Sequence, residues 1–202
     1  METKDLFANK SKEWDDNSKR VQGAKAIADA IKRKIELTKE MNIMDFGAGT
    51  GLLGYCLSDS IGGVTAIDNS PSMLEIFAQK APLFSCPTEI MELDLTKDIP
   101  LNIYFDGIVS SMTIHHLKDT KDMITKMYNM LPVNGFIALA DLDREDGTFH
   151  SDNEGVFHFG FDREELVKIV KEVGFREVEI ELANTIHKPH KSFDVFLLTA
   201  KR

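Results

Sequence analysis

Apolar residues in this chain follow two rhythms. Val21, Ala24, Ile27, Ala28, Ile31 and Ile35 recur at the spacing of one buried stripe on a helix over residues 21–37. Lys25, Lys32, Arg33 and Lys34 fall mainly on its wet face. Short apolar runs of strand length follow at 43–46, 64–68, 88–93, 104–111 and 136–140. Helical patterns lie between them: from Leu52 to about Ser60, from Ser70 to Lys80, and through Met123, Ile124, Met127 and Leu131. Gly62-Gly63, Pro82, Pro132 and Gly135 punctuate the pattern. Asp162, with Glu165 three residues on, reads as a capping box before a stripe of Leu166, Ile169, Val170 and Val173. Residues 178–182 alternate as a strand, and 192–200 form the last one. The link 184–191 between them is short, which makes the closing pair antiparallel. The alternation predicts an α/β fold, a doubly wound and mostly parallel sheet of seven strands.

Composition narrows the setting. The chain has 202 residues, enough for one core, and a net charge of −9. Such a balance repels a phosphate backbone, so no nucleic acid partner is expected; a small-molecule substrate is. The two cysteines, Cys56 and Cys86, form no C-x-x-C. No signal-type apolar stretch follows Met1, and none approaches the ~18 residues of a membrane span. The expectation is a soluble, cytoplasmic protein with no membrane partner, a monomer or homodimer.

The chemistry concentrates at residues 45–51, where Asp45, Gly47, Gly49 and Gly51 spell D-x-G-x-G-x-G between a strand and a helix. This is a nucleotide-binding corner, since glycine lets a ligand approach backbone N–H groups closely. The dinucleotide fingerprint would need a glycine at position 52, where Leu52 stands. Asp68 closes the next strand, about twenty residues on, where a carboxylate can accept both hydroxyls of a ribose. Ser110, Ser111 and Met112 leave a later strand at its carboxyl end, the ligand end of open α/β sheets. Asp106, at the opposite end, is assigned to structure. His115 and His116 are adjacent and point in different directions, so one site would use only one of them. Residues 141–161 are long and polar for a connection, and the substrate is expected to be read there. His150, Asp152, Glu154 and His158 lack metal-site spacing, so no metal is assigned.

The glycine corner, the segment from Ile67 to Leu74, the F-D-x-I/V-x-S pattern of 105–110 and the Leu131–Gly135 turn resemble class I S-adenosylmethionine-dependent methyltransferases, over residues 40–200. Asn134 stands for one glycine of that turn, a mild departure because Asn tolerates left-handed backbone. The resemblance implies a Rossmann-like sheet of order 3-2-1-4-5-7-6 with strand 7 antiparallel. It implies S-adenosyl-L-methionine as cofactor. Asp45, Gly47 and Gly49 would shape the methionine pocket, with the backbone of Ser110 and Ser111 facing it. Asp68 would hold the ribose, and Asn69 and Met73 would lie beside the adenine. Asp94 would meet the adenine amino group and the backbone of Leu95 the ring. It also implies one methyltransferase domain over 1–202. Residues 1–38 would form a helical lid segment, with Phe7, Trp14 and Arg20 as its candidates, over a core at 39–202. In-line methyl transfer needs no essential base; His116, His150 and His158 are the candidates if one exists. Two other readings stay open: a nicotinamide-dependent oxidoreductase on a related fold, against which Leu52 argues, and a non-catalytic S-adenosylmethionine-binding protein.

Overall fold

Seven strands build one sheet: β1 (Asn42–Phe46), β2 (Gly63–Asp68), β3 (Thr88–Glu92), β4 (Gly107–Ser111), β5 (Phe136–Leu142), β6 (Arg176–His187) and β7 (Ser192–Lys201). Their spatial order is β3-β2-β1-β4-β5-β7-β6. The first five strands run parallel to one another, and β7 is antiparallel to both β5 and β6. The computed structural model describes residues 5, 7–8, 11–94, 96–97 and 103–202. Among these, no helix is long and apolar enough to cross a membrane.

Alternation along each strand feeds two cores. Met44, Ile108, Ile137, Leu139, Phe196 and Leu198 point to one face. There they meet the apolar stripes of α4 (Thr120–Asn129) and α5 (Arg163–Val173). Ile43, Val64, Val109, Ala138, Ala140, Val195 and Leu197 point to the other, against Ile27 and Ile31 of α1 (Ser18–Lys34) and Leu53 and Leu57 of α2 (Leu52–Leu57). Strands covered on both faces read as continuous apolar runs, which is why β5 is buried at every residue.

Side chains set the helix ends. The Asn17 side chain accepts from the N–H groups of Lys19 and Arg20, so α1 starts at Ser18, three residues before its apolar stripe suggests. Val21, placed on that stripe by spacing, is 37% exposed. Ser70 caps α3 (Pro71–Lys80) and Asp162 caps α5. The Glu165 carboxylate of the expected capping box reaches Arg144 at 2.7 Å. The fourth strand begins at Gly107 and not at 104. Ahead of it, the Asp106 carboxylate accepts the Asn42 N–H at 2.8 Å, the structural part assigned to it.

The largest departure is the closing hairpin. β6 continues to His187, and only 188–191 form its tip. Register shifts between Arg176 and Glu179 and between Leu182 and Asn184 break the alternation, which hides the strand's second half in the sequence. The connection 143–162 is ordered by its own bonds. Arg163 forks onto both oxygens of Asp143 at 2.7 Å, and the N–H groups of Phe157 and His158 donate to the His115 carbonyl at 3.0 and 3.1 Å.

Gly51 enters α2 at φ +82°, and a Cβ there would lie 2.4 Å from the Phe77 ring. Gly51→Ala therefore combines left-handed strain with overpacking and is expected to cost about 2–4 kcal/mol. Urea unfolding of the two proteins checks this; equal midpoints would refute it.

Candidate active site

The carboxyl ends of β1, β2, β4 and β5 form one rim, and the chain leaves β1 there through the glycine corner. Gly47 and Gly49 sit at φ +65° and +54°. A Cβ on Gly47 would come within 2.1 Å of Thr113, whereas one on Gly49 would meet no atom of the described residues within 4 Å. The first glycine is thus required by packing against the loop after β4. The second opens its backbone onto free space.

Asp68 ends β2 facing that opening. One oxygen accepts the Gly49 N–H at 2.7 Å and the other the Ser70 N–H at 2.8 Å. Burial raises its pKa above the ordinary carboxylate range, although these N–H groups work the other way. A carboxylate offers about four lone-pair sites, more than the backbone N–H groups of Gly49, Ser70 and Asn69 occupy, so acceptor capacity remains for a ribose hydroxyl. An open glycine cradle beside a partly satisfied, desolvated carboxylate fits a nucleoside.

Asp45 is enclosed and accepts the Gly54 N–H at 3.0 Å. Burial pushes its pKa up to about 7; the Gly54 bond opposes this and the Asp68 charge adds to it. Asn69, Met73, Asp94 and Ser111 line the same cleft. The Asp94 carboxylate accepts from the Thr96 hydroxyl at 2.6 Å and pairs with Lys97 at 3.0 Å. Burial alone would raise it, but these partners bring it below the usual range. Leu95 lies outside the described residues. Ser110 is not on the cleft wall: its hydroxyl donates to the Phe46 carbonyl at 2.8 Å and ties β4 to β1.

The cleft measures about 1460 Å³, beyond the roughly 300–1,000 Å³ typical of one small ligand, so it has room for two. The N-terminal segment crosses its nucleoside end. Asp5 accepts from the Ser70 hydroxyl at 2.9 Å and the Ser72 N–H at 3.2 Å. Asp15 accepts the Thr50 hydroxyl at 2.6 Å and pairs with Lys80. Phe7 meets Trp14 edge-on at 5.8 Å, and Arg20 lies 3.8 Å over the Trp14 ring. All three residues named as lid candidates line the cleft.

Both adjacent histidines line the cleft, although as neighbours they are expected to point in different directions. They sit in a tight turn (Ile114–His116) that brings their rings to 4.1 Å. The Nδ1 atom of His116 is 2.8 Å from the Gly155 carbonyl. His150 joins them, with its ring 5.0 Å from His115 and 6.0 Å from His116. His158 is not on the cleft wall; its Nε2 is 2.9 Å from the Leu117 carbonyl and 3.3 Å from the Thr120 hydroxyl. His115, which the sequence offers only as one of an adjacent pair, has its Nδ1 2.8 Å from the buried Asp141 carboxylate. The available signal was an acid at the end of one strand, beside a histidine just past the end of its neighbour. From the hairpin, Asn184, Ile186, His187 and Lys188 also reach the cleft. The Lys188 ammonium donates to the Phe149 carbonyl and sits 4.2 Å over the Phe149 ring.

Residues 43–135 match the family pattern described as a methyltransferase domain. An uncharacterized methyltransferase of Schizosaccharomyces pombe is 30% identical over 156 residues, 69% of this chain and 55% of that protein. Phosphoethanolamine N-methyltransferase 1 of Arabidopsis thaliana is 27% identical over 154 residues, 73% of this chain and 31% of that protein. The chain spans about half the length, or less, of the curated relatives it matches. Among solved structures, an S-adenosylmethionine-dependent methyltransferase from Aquifex aeolicus shares the fold. Its TM-score is 0.71 at 21% identity, covering 96% of this chain and 97% of that one. A methyltransferase-domain match running from β1 to the edge of β5 thus sits on a sheet of the order β3-β2-β1-β4-β5-β7-β6, in a fold shared with an S-adenosylmethionine-dependent methyltransferase.

Proposed function

We propose that this chain transfers a methyl group from S-adenosylmethionine to a small-molecule acceptor by in-line displacement. The observation that carries the reading is Asp68 facing the open backbone of Gly49 at the rim of the sheet. In this reading Asp68 holds the ribose hydroxyls, with Asn69, Met73 and Asp94 around the adenine. Asp45, Gly47, Gly49 and Ser111 form the methionine end. When bound, the cofactor supplies a methyl group already activated on a sulfonium. The chain's own work is then to align the acceptor and keep water out, which can lower the barrier by ~7–11 kcal/mol. Phe7 and Trp14, packed on each other at the cleft, serve that exclusion as part of a lid over the core domain. A small acceptor is supported by a cleft with room for a second ligand of modest size and by the named activity of the phosphoethanolamine relative.

Calorimetric titration with S-adenosylmethionine tests the reading and is expected to give one site per chain. Reduced nicotinamide dinucleotide, followed by fluorescence, is expected to give none. The reverse pattern would favour an oxidoreductase. Cofactor binding without turnover of labelled methyl across a metabolite panel would favour a non-catalytic protein.

A further inference from the structure

Asp141 sits at the carboxyl end of β5, one residue past Ala140, which pairs with Ser111 at the end of β4. Its side chain is fully buried, and three N–H groups converge on it. One oxygen lies 2.7 Å from the Leu142 N–H and 2.8 Å from His115 Nδ1; the other takes the His115 backbone N–H at 3.2 Å. A carboxylate only accepts, so the ring proton of His115 resides on Nδ1 and the lone pair on Nε2. His115 is 1% exposed, and among the described residues its Nε2 has no hydrogen-bond partner.

A second such atom lies beside it. The His150 Nε2 is also buried without a partner among the described residues, and the two rings are 5.0 Å apart. Burial, together with His115 and His116, pushes the His150 pKa down to about 4, which keeps the ring neutral near pH 7. An unpaired buried polar atom costs about 1–3 kcal/mol. Two of them in one wall of a ligand cleft mark a position that a ligand completes. Around it the wall turns aromatic: Phe149 stands edge-on to His150 at 4.8 Å, and Phe7 edge-on to His116 at 5.9 Å.

Resting on the methyltransferase reading, we propose that His115, oriented by Asp141, is the proton acceptor of the reaction. The methyl acceptor therefore carries hydrogen on its nucleophilic atom, as a hydroxyl or an amine N–H, with His150 as its second polar contact. The acceptor's lone pair forms the bond to carbon, and the carbon–sulfur bond breaks with its electron pair left on sulfur. The acceptor's proton passes to Nε2 of His115. The imidazolium so formed is held by the Asp141 carboxylate until its proton leaves to water. His115 is then a catalytic residue and Asp141 a positioning residue. The titratable groups facing His115 are Asp141 from β5, His116 from its own turn and His150 from the 143–162 connection, with Lys188 of the hairpin acting on His150.

The test is nitrogen-15 histidine NMR on the full chain saturated with S-adenosylhomocysteine. His115 should carry its proton on Nδ1 alone, and Asp141→Asn should redistribute it toward Nε2. Phenol, which can donate a hydrogen bond, should shift the His115 Nε2 resonance; anisole, which cannot, should leave it in place. With an acceptor drawn from the turnover panel, His115→Gln should lower kcat about 10²–10⁴-fold and abolish the acidic limb of the pH profile. Asp141→Asn should lower kcat less and move that limb. Both variants should keep S-adenosylhomocysteine affinity by calorimetry. Equal responses to phenol and anisole, or a water that phenol does not displace from Nε2, would overturn the proposal. So would an unchanged pH limb in a folded His115→Gln. Should His115→Gln fail to fold, the wild-type NMR arm decides alone. Loss of nucleoside binding by the wild-type chain would instead sink the underlying methyltransferase reading.

Discussion

Asp68→Ala is expected to weaken S-adenosylmethionine binding by about 10²–10⁴-fold. Hydrogen bonds to a charged acceptor contribute about 1.5–3 kcal/mol each, and a ribose diol would lose two. The substitution also releases the N–H groups of Gly49 and Ser70 that the carboxylate holds at 2.7 and 2.8 Å, so the glycine corner loosens at the same time. Asp68→Asn keeps an oxygen acceptor without the charge and should fall between wild type and alanine. Calorimetry on all three proteins, with thermal melts to confirm folding, provides the check. Unchanged affinity in a folded alanine variant would remove Asp68 from the site.

Asp45 should make the protein less stable as pH rises from about 4 to about 7. In the folded chain burial lifts its pKa to about 7, against about 3.9 for an unfolded chain. Between those values the folded state holds a proton that the unfolded state has lost. Stability from this group is full below the unfolded value and is lost as pH rises through the folded one. A difference of roughly three units corresponds to a contribution on the order of 4 kcal/mol. Asp45→Asn keeps an acceptor for the Gly54 N–H but cannot titrate. Urea unfolding at pH 5 and pH 8 should therefore show the variant gaining on the wild type at the higher pH. Parallel losses in the two proteins would count against a buried, protonating Asp45.

The fold was legible wherever one interaction dominates a stretch of chain. The buried strands announced themselves as apolar runs, the helix starts as Ser70 and Asp162, and the ligand corner as three spaced glycines. Two local rules failed for identifiable reasons. Bulges in β6 reversed which residues face inward, so Asn184, Ile186 and His187 read as a loop although they are strand residues that reach the cleft. The histidines were judged by the rule that neighbours diverge, which describes a regular element. The turn from Ile114 to His116 is too short to impose it. What separates His115 from His116 is its contact with Asp141, 26 positions away, which no local pattern carries. Ser110 and His158 illustrate the converse: each is suited to a site by type, and each is occupied by a backbone carbonyl nearby.

The strand order has a further consequence for synthesis. β5, buried along its whole length, pairs with β4 on one side and β7 on the other. β7 is the last of the sheet's strands to leave the ribosome. Until it emerges, the nascent chain holds residues 136–142 as a raw apolar border with unpaired amides. That interval is when the polypeptide is most exposed to clumping with its neighbours, and when a chaperone has most to protect.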